Sequence, residues 1–264
     1  MELIQQSTRK LKTGGYERRS AERYEDRMPS DVKDAQREVV RDWLLKYHQD
    51  GERLLSLPDV YWTFENRLAV RPNTNFLGVQ RDWTSLERGL PWMPDSESMS
   101  AAHFYAKTPS GDVQGYRRNR NVVFYMWAGH LLAWDNLGRG LGVGTMSSAG
   151  LRQVTAAWLD FTGFLTDEVI AASTSIPVFL GGKQRSKFPV VTTFLAARDK
   201  FSSHEERVAH FLIAIQQAER RSSSWTYRFD RFEVHMGTSP FISVFGVYSN
   251  SRQQSLQSDR QGAL

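Results

Sequence analysis

The residue best placed to do chemistry is an aspartate at the end of an apolar segment. Val154–Asp160 is typical of a buried strand, and Phe161–Gly163 is predicted to form a turn after it. Ligands of open α/β sheets bind outside the carboxyl ends of the strands. Asp160 is therefore a candidate catalytic and cofactor-binding residue, which would accept a hydrogen bond from a cofactor amino group or a substrate nucleophile. The alternative is a carboxylate that caps a helix or a turn.

A second pair of ionisable residues lies near the end of the chain. Glu233 and His235 alternate along a predicted strand and therefore share one face of it. The two side chains could act as a general acid and base. A half-exposed strand face without any catalytic role explains the same pattern, so both interpretations stay open at this point.

Two short basic clusters point to an anionic partner. With Tyr116 and Trp127 nearby, they are typical of a rim that contacts phosphates while aromatic rings stack on bases. The alternative is charge that keeps surface loops soluble, and nucleic acid is favoured if both clusters border the same cleft. The candidate nucleic-acid-binding residues are Arg117, Arg118, Arg120, Lys183, Arg185 and Lys187.

Several kinds of chemistry are excluded by residue type or spacing. The chain has no cysteine, which removes disulfides, thiolate metal sites and cysteine nucleophiles. Its six histidines show no metal-ligand spacing, so no metal cofactor is predicted, and no GxSxG motif is present. The glycines of 138–144 lack the spacing and the Lys-Ser/Thr of a phosphate loop. They favour a flexible substrate loop or a hairpin tip, with a different nucleotide-using enzyme as the remoter alternative.

The composition is that of a folded, soluble chain. The 264 residues are 40% hydrophobic and 24% charged, and the formal net charge is +5. No apolar signal segment opens the chain, and its longest apolar run, 122–134, is shorter than the roughly 20 residues that span a bilayer. We therefore expect a cytoplasmic protein with no membrane partner. The first 27 residues are interpreted as a solvated arm or as a basic arm that contacts phosphates.

The elements that must position these residues alternate between helix and strand. The first is a helix over 31–49, whose basic residues are assigned to a solvated, ion-paired face. A later helix begins at the capping box Ser203–Glu206. Strands are expected at 53–57, 75–80, 102–106, 122–127, 154–160, 189–195, 225–236 and 241–248. The apolar face of the first helix is expected to comprise Val32, Ala35, Val39, Trp43, Leu44 and Tyr47.

This order predicts an α/β fold: a Rossmann-like, doubly wound, mostly parallel sheet that ends in an antiparallel hairpin, with an N-terminal helical extension. Three regions are expected. Residues 1–52 form an N-terminal arm and amphipathic helix, residues 53–248 form the α/β domain, and residues 249–264 form a flexible tail.

In order and spacing, residues 54–248 resemble the class I S-adenosylmethionine-dependent methyltransferases. The matching segments are Leu57–Asp59, Phe76–Asp82, Trp158–Gly163 and Thr193–Arg198, followed by the hairpin. The resemblance implies that S-adenosylmethionine binds at the carboxyl edge of the sheet. The residues that it assigns to this cofactor site are Pro58, Asp59, Gln80, Asp82 and Asp160.

Two departures from the family pattern concern the cofactor. The loop after the first strand, which usually contains a glycine-rich turn, reads Pro58-Asp-Val-Tyr-Trp62, and only glycine permits close backbone approach. The acidic residue that usually ends the second strand is Gln80, which hydrogen-bonds a hydroxyl without charge assistance. Asp82 could substitute for it if the strand ends later.

Two functions of different classes follow from the resemblance. The first is a divergent methyltransferase that acts on nucleic acid and aligns nucleophile, methyl group and sulfur for direct displacement. The second is a catalytically inactive methyltransferase-fold protein that serves as a nucleic-acid-binding or assembly subunit, for example a viral one. The loop without glycine after the first strand and Gln80 at the end of the second strand motivate the second function.

Overall fold

The computed structural model describes twelve segments of the chain and two single residues. The segments are 31–47, 52–58, 62–68, 75–80, 102–108, 111–118, 121–125, 154–174, 186–196, 201–220, 225–237 and 239–250, and the single residues are Arg88 and Met93. The glycine-rich segment 138–144, the first 30 residues and the predicted tail beyond Asn250 lie outside the described residues.

Within these segments the chain forms four helices and nine strands. The helices are α1 (Asp31–Leu44), α2 (Thr63–Leu68), α3 (Asp167–Thr174) and α4 (His204–Glu219). The strands are β1 (Arg53–Ser56), β2 (Asn75–Gln80), β3 (Ala102–Thr108), β4 (Gly111–Arg118), β5 (Asn121–Tyr125), β6 (Val154–Phe164), β7 (Lys187–Leu195), β8 (Trp225–His235) and β9 (Phe241–Asn250). Of the four helices, none is long and apolar enough to cross a membrane.

All nine strands belong to one sheet in the order β3-β4-β5-β2-β1-β6-β7-β9-β8. The five strands from β5 to β7 in this order are parallel to one another. Strand β9 inserts between β7 and β8 and is antiparallel to both. The predicted fold class is therefore confirmed: a Rossmann-like, mostly parallel sheet that ends in an antiparallel hairpin.

The structure corrects two parts of the sequence interpretation. No strand was predicted between residues 106 and 122, but β4 forms there and pairs with β3 and β5. Two glycines in its eight residues weaken the local strand signal, and pairing on both sides overrides it. The predicted turn at Phe161–Gly163 is wrong, because β6 continues to Phe164 with a register shift after Asp160.

Helices cover both faces of the sheet. On one face, α1 packs through Val40 and Trp43 against strand residues such as Trp158 and Phe245. On the opposite face, α4 packs through Val208, Phe211 and Ile215 against the neighbouring strand residues, Leu159 among them. Trp158 and Leu159 belong to different clusters because successive side chains of a strand point to opposite faces. Strands β1, β7 and β9 are thus buried on both sides, as the doubly wound prediction requires of the centre of the sheet.

The two main helices are held by different means. Helix α4 has the predicted capping box: the Ser203 hydroxyl accepts from the Glu206 backbone N–H, and the Glu206 carboxylate accepts from the Ser202 backbone N–H at 2.8 Å. Helix α1 buries Gln36 and Arg37, while Ala35 is exposed, so the predicted apolar face is only partly right. Buried Gln36 bonds to two hydroxyls of the sheet, those of Thr193 and Ser243, and buried Arg37 pairs with Asp34.

Candidate functional site

The carboxyl edge of the sheet brings together residues from three separate segments. Ser56 of β1 pairs with Gly78 on β2 and with Trp158 on β6. Gln80, Asp160 and Pro58 each lie two residues beyond their member of this row, and Pro58 follows the end of β1. Neighbouring strands are spaced by about 4.8 Å, so the backbones at Gln80 and Asp160, which lie two strands apart, are separated by roughly 10 Å. Three of the five residues that the resemblance assigned to the cofactor site thus follow one row of paired strand residues.

Asp160 is paired with a lysine from helix α1. The Lys33 ammonium lies 2.8 Å from Oδ1 of Asp160, and the two side chains are 26% and 14% exposed. This ion pair was missed because Lys33 was assigned to a solvated face. Its partner is 127 residues away in the chain, and helical periodicity contains no information on such a contact. Arg37 and Arg41 do form the expected local pairs, with Asp34 and Glu38.

One aromatic ring lies against the Lys33 ammonium, and a second ring stacks on the first. Nζ of Lys33 lies 4.6 Å from the centroid of the Phe241 ring, within the range of a cation–π contact. The imidazole of His235 stacks on the same ring, with centroids 5.1 Å apart and an interplanar angle of 21°. The strand register places His235 directly opposite Phe241. The ion pair is thus connected to the tip of the terminal hairpin.

The protonation of His235 depends on this surrounding. Burial lowers the pKa of His235, and the Lys33 ammonium acts in the same direction. The carboxylates of Glu233 and Asp160 raise it and are outweighed. Glu233 itself accepts a hydrogen bond from Nε of Arg231 at 2.8 Å. The proposed alternation of Glu233 and His235 on one strand is therefore observed, but Glu233 is already engaged by an arginine.

A buried polar network lies between α1 and the sheet, next to this ion pair. Nε2 of Gln36 donates to Oγ1 of Thr193 at 2.9 Å and to Oγ of Ser243 at 2.8 Å. Nε1 of Trp158 donates to the same Thr193 oxygen at 3.1 Å. Thr193 is paired with Asp160 across β6 and β7. The network thus fixes the strand positions on either side of Asp160.

The loop after β1 differs from one built for close cofactor approach. Pro58 is buried, and Trp62, which precedes α2, is 1% exposed and has a φ of 50°. A bulky side chain with positive φ is uncommon and costs conformational energy. Among the described residues, the buried Oγ of Ser56 has no hydrogen-bond partner. Near this edge, two residues before Pro58, the Oγ atom of Ser56 can therefore still form a hydrogen bond.

The remaining predicted site residues either lie outside the described residues or are found at the other edge of the sheet. Asp59, Asp82, Arg120, Lys183 and Arg185 lie outside the described residues. Arg117 and Arg118 end β4, opposite the start of β5, and the exposed Lys187 opens β7. The starts of the parallel strands define the amino edge, so these three residues lie at the opposite edge from Asp160.

The described parts of the two basic clusters are also far from each other. Four strands separate β4 from β7, which corresponds to roughly 24 Å at about 4.8 Å per strand. A single narrow cleft cannot be bordered by both. Of the two aromatic companions suggested by the sequence, Tyr116 lies on β4 and Trp127 lies outside the described residues.

No metal site can be built from what is described. Within the described ranges, no group of three or more histidine, aspartate or glutamate side chains is arranged to hold a metal ion. The polar atoms that converge at the carboxyl edge are an ammonium, a carboxylate, an imidazole and several hydroxyls. Such groups can bind and orient an organic ligand and can hold a proton.

Comparisons with known proteins identify the fold. No family model matches the chain, and no curated protein matches it. Among solved structures, Trm1 from Pyrococcus horikoshii with S-adenosyl-L-methionine is similar at a TM-score of 0.50 and 11% identity, over 88% of this chain and 58% of that chain. TYW2 from M. jannaschii with AdoMet is similar at a TM-score of 0.45 and 9% identity, over 85% of this chain and 79% of that chain.

A third similar structure is the TehB-like SAM-dependent methyltransferase from Corynebacterium glutamicum. Its TM-score is 0.43 at 12% identity, over 80% of this chain and 86% of that chain. At these identities the similarity concerns the fold. The chain has the fold of the class I S-adenosylmethionine-dependent methyltransferases, as the order and spacing of its segments predicted.

Proposed function

We propose that this protein is an S-adenosylmethionine-dependent methyltransferase whose site is the carboxyl edge of the sheet around Asp160. The observation that supports the proposal is the row of Ser56, Gly78 and Trp158 on β1, β2 and β6, which Pro58, Gln80 and Asp160 each follow by two residues. In an open parallel sheet this edge is where ligands bind.

The residues at this edge fit such a cofactor in their donor and acceptor chemistry. The carboxylate of Asp160 can accept a hydrogen bond from an amino or hydroxyl group. Lys33 is bonded to the Oδ1 atom of this carboxylate. The buried hydroxyl of Ser56 still needs a hydrogen-bond partner among the described residues. S-adenosylmethionine supplies a methyl group on a sulfonium, which is transferred by direct displacement. The role of the protein is then to align the acceptor and to exclude water.

The acceptor that we propose is nucleic acid. Its support is the formal net charge of +5 and the basic residues outside the site. Because Arg117, Arg118 and Lys187 lie at the amino edge, they would contact the flanks of a long polyanion rather than the acceptor group. Binding and catalysis must therefore be measured separately.

Isothermal titration calorimetry with S-adenosylmethionine tests the cofactor assignment. Asp160→Asn should weaken cofactor binding by about tenfold or more, because a hydrogen bond to a charged group is lost (~1.5–3 kcal/mol). Asp42→Asn is the matched control, since the Asp42 side chain is 64% exposed on α1. Absence of heat with the wild-type protein at millimolar cofactor, or equal affinities for both variants and the wild type, would reject the assignment.

A second function is favoured by two specific observations. Lys33 already neutralises Asp160, and the loop after β1 is bulky at Pro58 and Trp62. A fold retained as a nucleic-acid-binding or assembly subunit would tolerate both features. This function predicts binding of RNA or DNA oligonucleotides, followed by fluorescence anisotropy, that weakens steeply with salt and is unaffected by S-adenosylmethionine. Binding that is insensitive to salt would count against it.

A further inference from the structure

The tip of the terminal hairpin touches the Lys33–Asp160 ion pair through one aromatic ring. Phe241 contacts the Lys33 ammonium at 4.6 Å and the His235 imidazole at 5.1 Å. Lys33 in turn lies 2.8 Å from the Asp160 carboxylate. Three elements that are distant in sequence, α1, β6 and the β8–β9 hairpin, therefore meet in one chain of contacts. A change at His235 can reach Asp160 along this chain.

His235 is suited to such a role because of its unsatisfied ring nitrogen. Nε2 is buried and has no hydrogen-bond partner among the described residues. In the neutral ring this nitrogen can remain an unprotonated acceptor, at a modest cost. In the imidazolium it must carry a proton, and a buried N–H of a charged group without an acceptor is strongly disfavoured. The ring would then have to leave its position on Phe241 to reach water.

The charged groups that face His235 come from three elements. Lys33 of α1 repels a proton on the ring, and the carboxylates of Asp160 on β6 and Glu233 on β8 attract it. Arg231 of β8 offsets the Glu233 charge through a hydrogen bond of 2.8 Å. Burial is the largest influence on the pKa of His235, and the net direction is down. Protonation therefore disfavours the closed arrangement relative to an open one.

We propose that His235 is a positioning residue for Asp160. As a neutral ring it supports Phe241, which holds Lys33 on the carboxylate. When protonated it leaves Phe241 and repels Lys33, so that the first turn of α1 detaches and Asp160 becomes accessible at the carboxyl edge. This inference goes beyond the proposed function, because it concerns control of access to Asp160 and requires no cofactor.

Hydrogen exchange of residues 31–44, corrected for the intrinsic pH dependence of exchange, tests the proposal. In the wild-type protein, opening of α1 should increase several-fold between about pH 7.5 and pH 5.5, the range in which histidine changes its charge. His235→Phe keeps a flat ring against Phe241 but cannot be protonated, so its opening should not change over this range. His235→Gln should behave in the same way, which guards against a folding defect in one variant.

Two further variants serve as controls. His210→Phe should keep the wild-type pH step, because His210 contacts Phe201 and lies on α4, whose apolar residues pack on the opposite face. Lys33→Met should increase opening of the first turn of α1 several-fold at every pH, without a step. A step of equal size in His235→Phe, or its absence in the wild-type protein, would overturn the proposal.

Calorimetry with S-adenosylmethionine at both pH values separates this inference from the proposed function. If α1 opens with protonation of His235 while no cofactor binds at either pH, the positioning role stands and the methyltransferase proposal fails. If the cofactor binds and α1 shows no histidine-dependent step, the methyltransferase proposal stands and the positioning role fails. The two results therefore cannot be confused.

Discussion

Helices α1 and α4 pack on opposite faces of the same sheet in different ways. Helix α4 contributes an apolar stripe, with Phe211 1% exposed and its ring 5.7 Å from that of Phe194. Helix α1 combines apolar residues with a polar end, where Lys33 and Gln36 bond to three strands. The face of α4 serves to stabilise the fold. The face of α1 includes polar groups that are costly to bury and therefore need partners, which is typical of a site.

The largest effect is expected from the apolar face. Phe211→Ala should lower the free energy of unfolding by about 3–5 kcal/mol, because a large buried ring leaves a cavity. Urea denaturation followed by circular dichroism measures it. Ile213→Ala on the same helix is the control, since Ile213 is 54% exposed and should change stability by less than about 0.5 kcal/mol. A small loss for Phe211→Ala would mean that α4 is not part of the core.

An intermediate effect is expected from the polar network. Gln36→Ala should cost about 1–3 kcal/mol, since it removes two hydrogen bonds and opens space beside the buried hydroxyls of Thr193 and Ser243. The same denaturation experiment applies, with the exposed Gln217→Ala on α4 as the control. If the two variants are equally stable, the network does not hold α1 on the sheet.

The smallest effect on stability is expected from the ion pair. Lys33→Met should change the free energy of unfolding by about 1 kcal/mol or less, because partly exposed ion pairs contribute little. The same substitution should nevertheless alter cofactor affinity in calorimetry, since it uncovers Oδ1 of Asp160. Lys46→Met, an exposed lysine just after α1, should change neither quantity. A large stability loss for Lys33→Met would mean that the ion pair stabilises the fold, as the packing of Phe211 does.

Local patterns were sufficient for the elements whose signals lie within a few residues. The capping box Ser203–Glu206 predicted the start of α4 correctly, because it follows from helical geometry alone. The turn at Phe161–Gly163 was predicted from a glycine and proved wrong, since pairing with β7 extends β6 past Asp160. Strand β4 was missed for a related reason: its neighbours in the sheet stabilise a segment that has weak strand propensity.

In the candidate site, some residues were predictable from the local sequence and others only from the tertiary structure. Asp160 could be selected from its place at the end of an apolar strand, and the hairpin could be inferred from two strands joined by a short turn. The sequence by itself thus determined the order of elements, the mostly parallel sheet and the position of one carboxylate at its edge. Only the tertiary structure decided that Lys33 pairs with this carboxylate and is linked through Phe241 to His235, and that the described basic residues of the two clusters lie at the other edge. The physical reason is that strand register and helix docking bring together residues more than 100 positions apart. The local periodicity of a sequence contains no information about such contacts.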